Sequence, residues 1–214
     1  MIITLSSVKG GVGKSLLAQT LAAFLVKNGR STLLVDVDAQ KTTLEWAESY
    51  GKIPFQYIDD DVQRKLMALE AEYEFIVVDS GGHDSSASRQ ARSASDLVLF
   101  ATTPRQRALR TAPDFYSLMQ KAKIKNSHIR CRAILTMTPT LPSLASRTAD
   151  AREYLKDCHL EPLKEALANR EIYDLTDYHE VSIFDCDNAK AISESNALCS
   201  EIMDVIKELS HAEA

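Results

Sequence analysis

A glycine-rich stretch near the start of the chain constrains its fold more than any other feature. The stretch spans residues 8–15 and reads Val-Lys-Gly-Gly-Val-Gly-Lys-Ser. Residues 1–6 ahead of it are apolar and β-branched, which predicts a buried strand. Residues 16–26 behind it are rich in helix formers, and Asn28-Gly29 then forms a typical helix C-cap. The order of strand, glycine loop and helix is the context that a phosphate-binding loop requires.

The residue types in this phosphate-binding loop (residues 8–15) suit a polyphosphate ligand. Its glycines let the backbone turn N–H groups inward, and the positive end of the following helix adds to the attraction. Lys14 is predicted to lie along the β- and γ-phosphates, and the Ser15 hydroxyl to complete the shell of a Mg²⁺ ion. The alternative is a glycine-rich turn with a solvated lysine, but average residue usage gives such a motif in only about one chain in tens of thousands. The predicted nucleotide-binding residues of this region are Lys9, Gly10, Gly11, Val12, Gly13, Lys14, Ser15 and Leu16.

Composition and charge limit the classes of protein to which the chain can belong. Its 214 residues predict a single domain over residues 1–214 with a full core. The net charge of −5 argues against a generally basic nucleic-acid binder, so any DNA contact must come from a local patch. The four cysteines are widely spaced with no C-x-x-C pair, which indicates reduced thiols rather than disulfides or a zinc site. No signal peptide or membrane-spanning stretch is predicted, so we expect a cytoplasmic protein.

Two further apolar runs end in aspartate. Residues 32–38 read Thr-Leu-Leu-Val-Asp-Val-Asp, and residues 75–79 read Phe-Ile-Val-Val-Asp. Fully apolar runs predict strands of a parallel sheet covered on both faces, and ligands bind at the carboxyl ends of such strands. Asp79 has the form of a Walker B aspartate, which holds Mg²⁺ through a water. For Asp38 the alternative is an aspartate that caps the next helix.

The remaining segments complete the fold prediction. Gly81-Gly82 suits a loop that rearranges between nucleotide states, and His83 is interpreted as a loop residue rather than a base. Together the periodic segments favour a doubly wound α/β fold, with a mostly parallel sheet of about seven strands flanked by helices. Further strands are predicted at 54–58, 96–104 and 133–137, and helices at 42–50, through 66–69, and at 113–123, 143–157 and 187–209.

One detail of the phosphate-binding loop points to a family. The glycine that opens the ordinary motif is replaced by Val8, and an extra lysine, Lys9, follows it. This is the deviant Walker A pattern, and here the chain resembles the ParA/MinD family of ATPases, most closely its small plasmid-partition members. The resemblance implies ATP and Mg²⁺ as cofactors. It also implies a homodimer that sandwiches nucleotide, in which Lys9 of each subunit reaches the phosphates bound by the other.

The resemblance also assigns roles to the two aspartates. It places Asp38 where the family organises the attacking water and the metal shell, although the segment Asp-Val-Asp-Ala-Gln lacks the family's proline. After Asp79, the sequence Ser-Gly-Gly-His departs from the commoner Asp-x-Pro-Pro and is closer to small plasmid-encoded members such as ParF. The predicted catalytic residues are Lys9, Lys14 and Asp38, and the predicted metal ligands are Ser15, Asp38 and Asp79.

The adenine side of the site is assigned from the resemblance alone. Residues 162–170 have helical composition, but the resemblance places the seventh strand there. Arg170 then falls on the family's arginine after that strand, with Thr136 and Met137 opposite it. These three residues are the predicted base contacts.

The middle third of the chain holds its densest basic residues, and the family binds DNA without sequence preference once dimerised on ATP. The predicted DNA-binding residues are Arg105, Arg107, Arg110, Lys121, Lys123 and Lys125. Contact with the phosphate backbone is one interpretation, and an ordinary solvated helix end is the other. The resemblance further implies a small ParB-like centromere-binding partner that stimulates hydrolysis, and a nucleoid-associated protein. The final helix has an acidic polar face, unlike the basic anchor of MinD, so no membrane binding is predicted.

DNA segregation is the primary prediction, and three rivals stay open. An ATP-dependent biosynthetic enzyme of dethiobiotin-synthetase type shares the loop and the fold, but the sequence has no recognisable motif for a small carboxylated substrate. A reductase resembling the nitrogenase iron protein needs cysteines placed to share a cluster, which the spacing of the four cysteines does not support. A protein that positions a non-DNA cargo on the nucleoid would differ from a DNA-partition ATPase only in its partner.

Overall fold

The computed structural model describes residues 1–82 and 84–212, so the interpretation of His83 lies outside the described residues. The strands are β1 Ile2–Ser6, β2 Thr32–Asp36, β3 Phe55–Tyr57, β4 Phe75–Asp79, β5 Leu97–Thr102, β6 Arg130–Thr138 and β7 Pro162–Ala168. The helices are α1 Lys14–Lys27, α2 Thr42–Tyr50, α3 Val62–Leu69, α4 Ser86–Ala94, α5 Gln106–Leu109, α6 Ala112–Lys125, α7 Ser146–Asp157, α8 Glu171–Tyr178 and α9 Ala189–Ala212. No helix within these described ranges is both long and apolar enough to span a bilayer.

The strands form one seven-stranded sheet in the order β3-β2-β4-β1-β5-β6-β7, with every neighbouring pair parallel. The doubly wound α/β prediction is confirmed, and the sheet is parallel throughout rather than mostly so. After β4 the chain crosses to the other side of β1. A crevice therefore opens at the carboxyl ends of β1 and β4, where doubly wound sheets bind their ligands.

Helices cover both faces of this sheet. On one face, α1, α2 and α9 pack against central-strand side chains such as Ile3, Leu34 and Val77. On the other face, α3 and α4 cover one half of the sheet, and α6 and α7 cover the other half. Because both faces exclude water, β1, β2, β4 and β5 are buried along their whole length. This burial explains why these strands read as nearly continuous apolar runs.

β7 forms a strand at the sheet edge although its sequence, Pro-Leu-Lys-Glu-Ala-Leu-Ala, has helical composition. Its pairing with β6 is irregular, because Ala133 faces Pro162 but Leu135 faces Ala166. Between these two pairs, β7 advances further than β6, so residues 163–165 bulge out of register. The backbone groups of this bulge need partners outside the sheet.

Side chains from two helices bind the backbone of the bulge. Arg152 of α7 donates from Nε to the Leu163 carbonyl at 3.2 Å, and its guanidinium also donates to the Lys164 carbonyl. Glu201 of α9 accepts from the N–H of Lys164 at 2.8 Å and from the N–H of Glu165 at 2.7 Å. These tertiary contacts, rather than intrinsic propensity, keep the segment extended.

Replacing Glu201 with alanine should lower the free energy of unfolding by about 1–2 kcal/mol, because two backbone donors lose their acceptor. The measurement is the urea midpoint of the purified protein. Glu208→Ala is the matched control, since Glu208 is an exposed residue on the same helix. Equal midpoints for the two variants would show that water replaces the carboxylate at no cost.

Three helices, α4, α5 and α8, were not predicted. The sequence of α4, Ser-Ala-Ser-Arg-Gln-Ala-Arg-Ser-Ala, has no large apolar side chain, and it packs through small buried residues such as Ala91 and Ser88. Its N-terminus is capped by Ser85, whose hydroxyl oxygen accepts from the Ser88 N–H at 3.0 Å. Short polar helices of this kind lack the apolar periodicity by which a helix is predicted.

Candidate functional site

The phosphate-binding loop connects β1 to α1 and lies in the crevice at the carboxyl ends of β1 and β4. Gly11 and Gly13 have φ angles of 70° and 78°, a left-handed conformation that glycine adopts without strain. α1 begins at Lys14, directly after the second of these glycines. The Val12 carbonyl accepts a hydrogen bond of 2.7 Å from the Thr136 hydroxyl of β6. The loop is therefore fixed to a neighbouring strand as well as to its own strand and helix.

Lys14 is a largely buried residue that acts electrostatically on Asp79 without being in an ion pair with it. Its residue is only 7% exposed, yet it forms no ion pair with any described side chain. It lines a cavity of about 240 Å³, together with Gly10, Gly11, Gly13 and Ser15. A buried charge without a partner is unfavourable, so this cavity is suited to an anion.

Asp79 ends β4 at the same cavity and is fully buried. Its Oδ2 atom accepts a hydrogen bond of 2.6 Å from Thr43, whereas Oδ1 has no hydrogen-bond partner among the described residues. Burial raises the pKa of Asp79 to about 6. The hydroxyls of Thr43 and Ser15 oppose this rise in pKa, the charge of Asp36 adds to it, and the charge of Lys14 opposes it.

The oxygen donors of the cavity fit Mg²⁺. A buried carboxylate oxygen without a partner, beside a serine hydroxyl, offers the hard ligands that this cation takes. The three predicted ligands, Ser15, Asp38 and Asp79, all line the cavity. These residues would hold Mg²⁺ together with phosphate oxygens, and the bound cation would neutralise phosphate charge.

Two residues outside the predicted site, Asp36 and Thr43, form hydrogen bonds with its aspartates. Asp36 accepts the N–H of Asp38 at 2.8 Å through Oδ1 and the N–H of Leu44 at 3.0 Å through Oδ2. Burial raises the pKa of Asp36. Thr43, the donor to Asp79, is equally buried. The Asp-x-Asp spacing could have drawn attention to Asp36, but no local signal marks Thr43.

The loop after β4 closes one side of the cavity. A Cβ atom added at Gly81 would lie 3.2 Å from the carboxyl atoms of Asp38. A Cβ atom added at Gly82 would lie only 2.9 Å from the backbone nitrogen of Gly10. The paired glycines therefore let this loop pack between the aspartate and the phosphate-binding loop. A side chain at Gly82 would displace the backbone of that loop, and one at Gly81 would crowd the Asp38 carboxylate.

Lys9 is half-buried, and its ammonium makes no hydrogen bond or ion pair with a described residue. Its carbonyl is held instead, because it accepts from the Ser7 hydroxyl at 2.7 Å. The backbone of Lys9 is thus fixed, while its charge has no partner in the part of the chain that the structure describes. Its action across a dimer stays a prediction.

The predicted base contacts differ in their placement. Met137 lines the cavity and has a φ angle of 50°, an uncommon conformation for this residue type. The Thr136 hydroxyl is instead engaged by the carbonyls of Val12 and Thr102, at 2.7 and 3.1 Å. Arg170 donates from Nε to Glu194 of α9 at 3.0 Å. Neither Thr136 nor Arg170 lines the cavity, so their contact with a base stays a prediction.

The unpredicted helix α8 supplies another wall of the cavity. Tyr173, Asp174 and Asp177 of this helix line it, opposite the phosphate-binding loop. Sequence reasoning missed them because the helix itself was not recognised. Their exposure to the cavity could not be read from residue type.

The structure divides the predicted DNA-binding residues into two groups. Arg105, Arg107 and Arg110 surround α5, which follows the carboxyl end of β5. Lys121, Lys123 and Lys125 lie in the last turns of α6, which runs back towards the amino ends of the strands. All six are exposed. At 1.5 Å per helical residue, α6 separates the two groups by about 20 Å.

Comparisons with known proteins agree with this geometry. A family model described as the CobQ/CobB/MinD/ParA nucleotide binding domain matches residues 3–206. The maintenance of carboxysome distribution protein A of Halothiobacillus neapolitanus is 23% identical over 210 residues, which cover 94% of this chain and 95% of that protein.

Two solved structures share the fold. A plasmid partition protein of Borrelia burgdorferi bound to AMPPNP has a TM-score of 0.77 and 20% identity, covering 95% of this chain and 98% of that one. Apo McdA of Cyanothece has a TM-score of 0.78 and 14% identity, covering 94% and 98%. The resemblance seen in the loop is confirmed by a family model that spans nearly the whole chain. The chain belongs to the CobQ/CobB/MinD/ParA nucleotide-binding domain family.

Proposed function

We propose that this protein is a Mg²⁺-dependent ATPase of ParA type, which dimerises on ATP and positions a cargo on DNA. One observation carries the proposal: Lys14, which is in no ion pair with a described residue, shares a cavity with an Asp79 oxygen that has no hydrogen-bond partner among those residues. A metal–nucleotide complex satisfies both at once, because it brings an anion to the lysine and a cation to the aspartate. The plasmid partition protein of Borrelia burgdorferi, which has the same fold, is bound to AMPPNP, and this supports a nucleoside triphosphate as the ligand.

Each residue of the cavity has a separate task in hydrolysis. Lys14 and the N–H groups of the phosphate-binding loop hold the phosphates. Ser15 and Asp79 hold the metal. Asp38 lies beside them at the cavity wall, where it can orient the attacking water. The partner's Lys9 adds positive charge where negative charge develops on the transferred phosphoryl group.

The surface that we propose for DNA is the arginine group around α5. These arginines lie at the same end of the sheet as the nucleotide cavity, and none forms an ion pair with a described residue. Dimerisation would join two such groups into one basic surface. The lysines at the end of α6 stay a second predicted contact.

The triple change Arg105→Gln, Arg107→Gln and Arg110→Gln should weaken binding to random duplex DNA and flatten its salt dependence. Each lost phosphate contact should reduce the slope of log K against log salt by about 0.9. Fluorescence anisotropy with Mg-ATP at several salt concentrations measures both quantities. The matched control is the triple change of Lys121, Lys123 and Lys125 to glutamine. An unchanged slope in the arginine variant would place the DNA surface elsewhere.

The cargo separates two versions of this function. Plasmid or chromosome partition, stimulated by a small ParB-like centromere-binding protein, is the first, and the partition protein with the same fold supports it. Positioning of a protein assembly on the nucleoid is the second. It is favoured by the relative named for carboxysome distribution, which aligns over most of both chains.

Co-sedimentation with DNA in the presence of ATP, ADP or no nucleotide tests the function that both versions share. We expect retention on DNA with ATP and release with ADP. Equal retention in all three conditions, or none in any, would overturn the proposal. Partner capture then decides between the versions, because a centromere-binding protein recognises a DNA sequence and an assembly adaptor does not.

A further inference from the structure

The buried side chain of Arg92 joins the two loops that form the nucleotide cavity. This residue of α4 is only 2% exposed. Its guanidinium donates to the Ser6 hydroxyl at 3.3 Å and to the carboxylate of Asp84. Ser6 is the last residue of β1, just ahead of the phosphate-binding loop, and Asp84 belongs to the loop after β4. One arginine thus contacts the strand end that leads into the first loop and a residue near the end of the second.

Asp84 anchors the loop after β4 through its carboxylate. At the start of the loop, Ser80 donates twice to a β1 carbonyl, from its N–H at 3.3 Å and from its hydroxyl at 2.8 Å. At the end, Ser85 caps α4. Between them, the side-chain contacts seen for the described residues are those of Asp84 with Arg92 and Arg89.

The two arginine contacts of Asp84 differ in strength. The side chain of Arg89 is 54% exposed, so water and salt weaken its ion pair. The side chain of Arg92 is 3% exposed, and a guanidinium buried to this extent is strongly unfavourable without a carboxylate. The position of Asp84 is therefore set by Arg92, which is itself held by α4 and by Ser6.

We propose that Arg92 is a positioning residue for hydrolysis: by pairing with Asp84, it fixes the loop after β4 so that Gly81 packs against the carboxylate of Asp38. The inference rests on the proposed ATPase function and assigns control of it to a residue that does not line the cavity. The phosphate-binding loop would supply most of the contacts for the nucleotide. The Asp38 carboxylate accepts the N–H of Gln40 at 3.2 Å, and on its other side Gly81 lies so close that an added Cβ would come within 3.2 Å of it, so a displaced loop would leave the carboxylate room to move. Loss of the pair should therefore lower turnover more than affinity.

Three variants test the pair: Arg92→Met, Asp84→Asn and the double change. Each is expected to lower kcat for ATP by about tenfold or more, while the Kd for Mg-AMPPNP stays within about threefold. The double variant should be no slower than either single one, because both remove the same interaction. Arg92→Lys should recover part of the turnover. The matched control removes the exposed pair of α3 through Arg64→Met with Asp61→Asn, for which kcat should stay within about twofold.

Hydrogen exchange gives a second readout that needs no activity. In the nucleotide-free protein, the amides of Gly81 and Gly82 should exchange about tenfold faster in Asp84→Asn than in the wild type, while amides of α1 stay unchanged.

A wild type without turnover would overturn the ATPase function but leave this comparison decisive. Unchanged exchange or unchanged kcat in Asp84→Asn would overturn the positioning role. Additive losses in the double variant, or an affinity loss as large as the loss of turnover, would also overturn it. If Arg92→Met fails to fold, Asp84→Asn and the double variant carry the test.

Discussion

Replacing Lys14 with alanine is expected to raise the Kd for Mg-ATP by about two orders of magnitude, which corresponds to about 2–3 kcal/mol for charge-assisted hydrogen bonds to phosphate. The nucleotide-free protein should be as stable as the wild type or more so. The reason is that the change removes a largely buried charge that makes no ion pair with a described residue. Affinity and intrinsic stability should therefore move in opposite directions.

Thermal unfolding with and without Mg-ATP measures both effects of the Lys14 change. The wild type should show a ligand-dependent rise in Tm, and the variant should lose that rise while its ligand-free Tm is unchanged or higher. Lys190→Ala, an exposed change at the start of α9, serves as the control. A full ligand-dependent rise in Lys14→Ala would mean that the cavity does not hold the phosphates.

Replacing Lys9 with alanine should leave ATP affinity within about threefold of the wild type and abolish ATP-dependent dimerisation. Its ammonium has no partner among the described residues of its own chain, so its removal costs the isolated subunit little. The proposed dimer instead requires that charge at the phosphates of the facing subunit. Turnover should fall together with dimerisation, since the same lysine serves both.

Light scattering during gel filtration with Mg-AMPPNP detects this loss of the dimer. The wild type should elute at twice the monomer mass and Lys9→Ala at the monomer mass, while the Lys190→Ala control behaves as the wild type. Dimers of normal stability in the Lys9 variant would remove the sandwich arrangement. A wild type that stays monomeric but hydrolyses ATP would favour the biosynthetic enzyme over a partition ATPase.

Much of the fold and the core of the site could be predicted because their signals are local. The phosphate-binding loop is specified by a few consecutive residues; its neighbour β1 is marked by an apolar, β-branched run and α1 by a run of helix formers with a C-cap. Asp38 and Asp79 were recognisable because each closes an apolar run in the sequence; in the structure Asp79 ends β4, and Asp38 lies two residues beyond the end of β2. In the structure these strand ends meet, since Asp36 of β2 lies directly beside Asp79 of β4.

The rest of the site depends on contacts between distant segments. β7 has the composition of a helix and is kept extended by Arg152 and Glu201 from two helices. Thr43 reaches Asp79 across 36 residues of sequence, which no spacing rule anticipates. The six basic residues are close in sequence, but the three arginines precede α6 and the three lysines lie in its last turns. The length of α6 therefore places the two groups at opposite ends of the sheet.

The bulged edge of the sheet has a consequence for how copies of this protein can assemble. At residues 163–165, the donors and acceptors that an incoming strand would need are already occupied by Arg152 and Glu201. A second copy cannot lengthen the sheet along this stretch by strand addition. Any contact between copies at this stretch of the rim is therefore left to side chains, whose charges and shapes can be selective in a way that backbone pairing is not.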